Sequence, residues 1–477
     1  MNEHAPKSFL DRALDNLRSA WQSIAGAGED VDISGLRPNL PDDDAQRLKK
    51  QMLACLAGRG GEVSARTRAA ALGHAYLALD ETGRDRFLRL LASEFDVDRT
   101  QVDAAVEAVK AARDDRSRRT AEVALRRALE APRVRLLTQF NALPDGVKFL
   151  VDMRAHLLKT AGKDELLGAL ERDLKALLAS WFDVGFLELR RITWESSPAA
   201  LLEKLIAYEA VHAIASWDDL KNRLDADRRW FAYFHPRMPQ EPLIFVEVAL
   251  VNGMTGNIQE LLDEAAPVMD PTKADTAIFY SISNAQKGLA GISFGNFLIK
   301  RVVDSLSHEF SGLKMFATLS PVPGFRAWLE SAIAAGDSTL LKPPEHKALN
   351  AAVGRTGGAK GALKDLLNQP DWHLDPNKAE ALRQPLTRLC ARYLAQEKAS
   401  GRGLRALDPV AHFHMSNGAR LERINWLADV SEKGLEQAVG LMVNYRYKLD
   451  DIDANHEAYT GQGDVTVSSA VKGLLKG

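Results

Sequence analysis

The chain has 477 residues, of which 46% are hydrophobic and 26% charged, and its formal net charge is −2. That length exceeds one ordinary core, so two or more domains are expected, and the near-neutral charge gives no electrostatic reason to expect nucleic acid. No apolar run reaches the roughly 18 residues of a membrane span, Glu3, Asp11 and Asp15 interrupt any signal-peptide core, and the two cysteines, Cys55 and Cys390, are too few for a disulfide framework. A reducing, cytoplasmic setting is therefore expected.

From the N-terminus to about residue 181 the chain reads as helix throughout. Arg68–Leu79 and Ala121–Glu130 consist mostly of strong helix formers, with apolar residues three and four apart. We expect an all-helical domain over residues 1–181. Residues 182–477 carry strand signals at Trp230–Phe234, Leu243–Val251, Ala277–Ser283, Gly312–Ser320, Ala411–His414 and Met442–Tyr447, with helices between them. This mixture predicts an α+β second domain, with the helical stretch 335–405 as an insertion or flank.

The most structured signal lies between Ala277 and Trp328. A strand is followed by a glycine-containing loop, then a helix with Leu298, Val302 and Leu306 at helical spacing, then a strand ending at Ser320-Pro321. A glycine loop at a helix N-terminus offers backbone N–H groups to a phosphate. The loop fits neither the dinucleotide fingerprint nor the P-loop. Ser320 lacks the Gly-x-Ser-x-Gly elbow of a hydrolase nucleophile; on local context it is either a turn residue or a group at the mouth of the phosphate-binding loop. If Ala411–His414 is a strand, His412 and His414 face one way. They could then be metal ligands, backbone-bonded histidines, or include a general acid. Ser281, Ser283, Tyr445 and Tyr447 suit strand or rim positions equally well.

Seven longer segments narrow these choices. Phe234-His-Pro through Glu241-Pro-Leu-Ile, Ala277–Ser283, Gly295–Val303, Leu319–Phe325, Asp408–Ala419, Arg423–Val430 and Asn444–Tyr447 together resemble the malonyl-CoA decarboxylase family, densely from about residue 182 onward. The resemblance implies a helical oligomerisation domain (1–181) and a catalytic domain (182–477) like the GNAT-type N-acetyltransferases, in which two strands splay around an acyl-CoA. It implies conversion of malonyl-CoA to acetyl-CoA and CO2 without metal or organic cofactor, and a homo-oligomer, dimer or tetramer. The family's serine and histidine map onto Ser320 and His414, its further active-site positions onto Ser281 and Tyr447, and its CoA loop onto Ala290, Gly291, Ile292, Ser293, Phe294, Gly295 and Asn296. His414 would protonate the enolate. Two departures stand out. The loop keeps only the last glycine of the acetyltransferase pattern, and Ser293 replaces a glutamate of animal members. An N-acyltransferase on the same fold, or a non-catalytic acyl-CoA sensor, is the alternative expectation.

Overall fold

The computed structural model describes residues 9–25, 33, 35–57, 61–182, 184–292, 298–354, 361–401 and 403–476. Its first part is a run of helices: α1 (Phe9–Ala25), α2 (Asp42–Leu56), α3 (Gly61–Ala78), α4 (Glu81–Glu94), α5 (Arg99–Ala111), α6 (Asp115–Ala128), α7 (Pro132–Phe140), α8 (Gly146–Leu157) and α9 (Glu165–Trp181). Aspartate caps start several of them. The side chains of Asp80, Asp98 and Asp164 accept from the first-turn N–H groups of α4, α5 and α9, which relieves donors that no helix can satisfy internally. Trp21 on α1 fills the centre, edge-on to Phe149 at 4.7 Å. Gly73 on α3 makes room for it, since a Cβ there would stand 1.9 Å from the indole ring.

The second part is built on one eight-stranded sheet: β1 (Glu188–Ile192), β2 (Arg228–Phe234), β3 (Ile244–Val251), β4 (Thr276–Asn284), β5 (Met315–Thr318), β6 (Ser320–Pro321), β7 (Arg420–Asn425) and β8 (Met442–Tyr447). Around it lie α10 (Ala199–Tyr208), α11 (Trp217–Asn222), α12 (Ile258–Leu261), α13 (Leu298–Glu309), α14 (Phe325–Ala334), α15 (Pro343–Ala352), α16 (Ala362–Leu367), α17 (Pro376–Ala395), α18 (Pro409–Ser416), α19 (Glu432–Ala438), α20 (Ile452–Gln462) and α21 (Ser469–Lys476). The strand order is β1-β2-β3-β4-β5-β8-β6, with β7 on β8. The first four strands are antiparallel, and β4 and β5 are parallel.

That parallel pairing is short. It runs from Thr276↔Met315 to Phe279↔Thr318 and stops. Beyond it β4 continues along β3, while the chain after β5 pairs through Ser320 and Pro321 with β8. The two strands therefore part, as the GNAT-like expectation requires. A bulge sits at the same level: Ser281 opposes Glu247, but Phe279 opposes Val248, leaving Tyr280 as the extra residue. Bulges bend a strand and re-aim its side chains, which suits a strand that must leave its neighbour. The two halves share one continuous core. Arg154 on α8 donates 2.5 Å to the Gly288 carbonyl, and a Cβ on Gly288 would lie 1.8 Å from the Val151 carbonyl oxygen. The helical half thus presses directly on the turn that leads into the glycine loop.

Three sequence expectations change. Ala411–His414 is not a strand: it lies inside α18. The segment 312–320 is two strands, broken at Leu319. Strands β1 and β7 were not foreseen.

Candidate active site

Asp408 starts α18. Its side chain accepts from Ala411 N at 2.8 Å, and Pro409 occupies the first helical position. A missing N–H costs nothing there, and proline's fixed φ suits the first turn. Burial raises the Asp408 carboxyl to about 6. Residues two apart on a helix are turned by about 200°, so His412 and His414 point apart. His412 meets Tyr459 OH at 2.9 Å, while His414 turns to the sheet. The shared strand face needed for two metal ligands is gone, and among the described residues no cluster of three or more candidate ligands exists.

His414 is the centre of a buried row. Its Nε2 is 3.1 Å from Ser320 Oγ and its Nδ1 2.8 Å from Tyr447 OH. Ser320 donates to Thr318 Oγ1 at 2.8 Å, and Thr318 Oγ1 also accepts from Tyr445 N. With the serine proton so directed, Nε2–H donates to Ser320 and the Tyr447 hydroxyl donates to Nδ1. Tyr445 stacks on the imidazole at 4.5 Å. Burial alone lowers the His414 pKa to about 3, so the imidazole is neutral at physiological pH. Asn444, fully buried, braces the row from behind. Its amide donates to the Thr318 carbonyl at 2.6 Å, and its oxygen accepts from Arg423 and Asn425.

Ser281 belongs to a different cluster. Its hydroxyl contacts both Glu209 oxygens at 2.9 Å, and Ser283 donates to the same carboxylate at 3.1 Å. Among the described residues no hydrogen bond joins Ser281 to the Ser320–His414–Tyr447 row. Glu209 also accepts the backbone N–H groups of Val211 and His212. A cleft of about 330 Å³ is lined by chain neighbours of Glu209 and of Ser320. Its walls include Ala210, Val211 and His212, which follow Glu209, and Pro321, Val322 and Pro323, which follow Ser320. Burial lowers His212 to about 4.

Of the expected CoA loop, Ala290, Gly291 and Ile292 are described, while Ser293, Phe294, Gly295 and Asn296 lie outside the described residues. Gly291 takes a φ of +72°, and a Cβ there would stand 3.3 Å from Lys175 Nζ of α9. Sequence reasoning did not find Thr318, Asn444, Glu209 or Glu247. Thr318 was within reach, because it lies two residues before Ser320 and so faces the same way. Nothing local marks Glu209, whose partner serines lie more than seventy residues away.

Comparison with known proteins bears on the family and the fold. Residues 185–477 match the model of the malonyl-CoA decarboxylase C-terminal domain and residues 95–182 that of its N-terminal domain. The chain is 40% identical over 408 residues to the mitochondrial malonyl-CoA decarboxylase of Mus musculus, with 82% of each chain covered. The crystal structure of malonyl-CoA decarboxylase from Rhodopseudomonas palustris is similar with a TM-score of 0.82 at 43% identity, covering 90% of this chain and 99% of that one. That from Agrobacterium vitis gives 0.80 at 42%, with 90% and 99% covered.

Proposed function

The chain belongs to the malonyl-CoA decarboxylase family, whose members are carboxy-lyases, and from that premise we propose that Ser320, His414 and Tyr447 carry the proton needed to turn malonyl-CoA into acetyl-CoA and CO2. The observation behind this reading is the fully buried row in which His414 lies 3.1 Å from Ser320 and 2.8 Å from Tyr447, at the point where β4 and β5 part.

The malonyl carboxylate is already ionised at neutral pH, so no base is needed to start. Loss of CO2 leaves charge on the thioester oxygen as an enolate, and the α-carbon then takes one proton. The thioester itself is the electron sink. Among the described residues no acidic group bonds to the His414 ring to offset an imidazolium. An incoming carboxylate supplies that counter-charge, and a neighbouring anion raises a histidine's pKa. A proton is thus taken up with the substrate and spent on the enolate carbon, which balances the reaction. Ser320 holds the carboxylate against the row, and His414 is the acid. The carboxyl groups of Glu209 and Glu247 make poor neighbours for a further carboxylate, which favours placing the thioester arm, rather than the malonyl carboxylate, on the 210–212 side of the cleft. The glycine loop around Gly291 would receive the CoA pyrophosphate.

The same reading includes a homo-oligomer through the helical half. Helices α5 and α6 pack on each other and bury only Ala105 and Ala121, leaving Val123 and Leu129 exposed. It also includes a cytoplasmic location, supported by two cysteines that are both buried and free. Among the described residues no helix is long and apolar enough to cross a membrane.

The test is incubation of purified protein with malonyl-CoA alone, without added metal or amine, following acetyl-CoA by chromatography. Stoichiometric acetyl-CoA is expected. Unchanged malonyl-CoA would reject the reading.

A further inference from the structure

Glu247 sits in the middle of β3, directly opposite Ser281, and is 1% exposed. Neither of its carboxyl oxygens accepts a hydrogen bond. The groups that face it are the Arg223 guanidinium at 3.5 Å, the Tyr280 hydroxyl and the Glu209 carboxylate. Arg223 is already engaged: Nε and Nη2 grip Asp219, Nη2 also reaches the Ala213 carbonyl, and Nη1 donates to the His212 carbonyl. Glu209 is surrounded by donors, namely Ser281, Ser283, Val211 N and His212 N. Glu247 stands across the strand pair from Ser281, whose hydroxyl Glu209 binds, and a buried carboxyl that accepts no hydrogen bond beside a donor-rich carboxylate is stable when it carries a proton to give.

We propose that Glu247 and Glu209 share one proton, and that this pair is the positioning device that fixes the 210–212 wall of the cleft, against which the substrate's thioester arm lies. This rests on the decarboxylase reading for the identity of the arm. The contacts run through Glu209, which holds Ser281 on one side and, on the other, the N–H groups of Val211 and His212, two residues of the cleft wall. Burial and the nearby Glu209 charge both raise the Glu247 pKa. Once Glu247 ionises, two adjacent carboxylates face a single arginine that Asp219 already neutralises. Repulsion then moves Glu209, and with it Ser281 and the 210–212 wall of the cleft. The other titratable group against Glu209 is His212, neutral above about 4.

The experiment compares wild type, Glu247→Gln, Glu209→Gln, Ser281→Ala and the Glu209→Gln/Ser281→Ala double variant across pH. Wild-type kcat/KM should fall on an alkaline limb. Glu247→Gln keeps a neutral donor, so it should cost less than about tenfold at neutral pH and abolish that limb. Ser281→Ala should raise KM more than it lowers kcat. The double variant should be no worse than the poorer single one, because both act through one contact. A limb retained in Glu247→Gln, a Glu247→Gln protein that does not fold, or additive losses in the double variant would overturn the proposal. If wild type decarboxylates at no pH, the decarboxylase reading fails, and the pair is judged by melting temperature instead. There, wild type should lose stability toward alkaline pH and Glu247→Gln should not; superimposable curves would sink the pair itself.

Discussion

Ser320, His414 and Tyr447 lie among aromatic rings, where burial keeps the imidazole neutral, whereas Ser281 and Ser283 both donate to the carboxylate of Glu209. One cluster is centred on a neutral imidazole; the other is gathered around the carboxyl group of Glu209. A malonyl thioester has a charged end and an uncharged arm, and the two clusters differ in the way needed to tell these ends apart. The contrast also divides the expected phenotypes. Damage to the neutral row should fall on kcat, and damage to the charged cluster on KM.

The largest effect is expected from His414→Asn. Loss of a positioned general acid typically costs about 10²- to 10⁴-fold in rate, and here it should appear chiefly in kcat, with a smaller rise in KM from the lost pairing with the substrate carboxylate. Steady-state kinetics with malonyl-CoA checks this. A retained kcat would remove His414 from the mechanism and erase the contrast. A matching rise in KM would mean that the row binds substrate as much as it transforms it.

Next comes the backbone that aims His414. Gly418 follows α18 with a φ of +79°, and a Cβ there would stand 2.2 Å from the Ile452 carbonyl oxygen. Gly418→Ala therefore combines a left-handed strain with a backbone clash, and should destabilise the fold by about 2 kcal/mol or more. Urea unfolding measures it. Unchanged stability would show that the α18–α20 contact gives way easily.

The same glycine shows how the sequence misled. Ala411-His-Phe-His414 alternates like a strand, and a four-residue window cannot separate the two periods. The flanks could: Asp408-Pro409 is an N-cap followed by an N1 proline, and Gly418 stands just past the end. The strands β2, β3, β4 and β8 were legible because they are buried on both faces and rich in aromatic and β-branched residues. Strands β1 and β7 were not, because Glu188-Leu-Arg-Arg-Ile192 and Arg420-Leu-Glu-Arg-Ile-Asn425 carry charges into an outer position of the sheet. In the site, Ser320, His414 and Tyr447 came from long segments resembling a family, and the structure gathers them into one row. Glu209 and Glu247 could not be foreseen. A glutamate in a coil and another in an apolar strand have no shared local signature, and only the strand register brings Glu247 opposite Ser281.

Acid stability gives a third, smaller way to sharpen the contrast. Burial lowers His414 to about 3 and His412 and His212 to about 4, against an ordinary value of about 6.5. A base with a lowered folded pKa contributes stability that is complete above the unfolded value and is lost as pH falls through the folded one. Melting temperature should therefore decline from about pH 6.5 toward pH 3 to 4, and His414→Asn should flatten part of that decline. An identical slope in the variant would mean that water reaches the imidazole before the fold opens.

The smallest effect is expected from Tyr447→Phe. The hydroxyl donates to His414 Nδ1 at 2.8 Å, which fixes the tautomer that points Nε2–H at Ser320. Removing it leaves the ring packed and the histidine neutral, but frees the imidazole to flip its proton. One such hydrogen bond is worth about 0.5–1.5 kcal/mol, so kcat should fall about three- to tenfold. The sign of the accompanying pH change is the more telling readout. With the donor gone, Nδ1 loses a partner that favours the neutral ring, so the imidazolium is relatively stabilised and the pKa seen in kcat should rise. A fall instead would mean that Tyr447 accepts from Nδ1–H, reversing the proton order of the whole row and making Ser320, rather than His414, the donor across their shared bond.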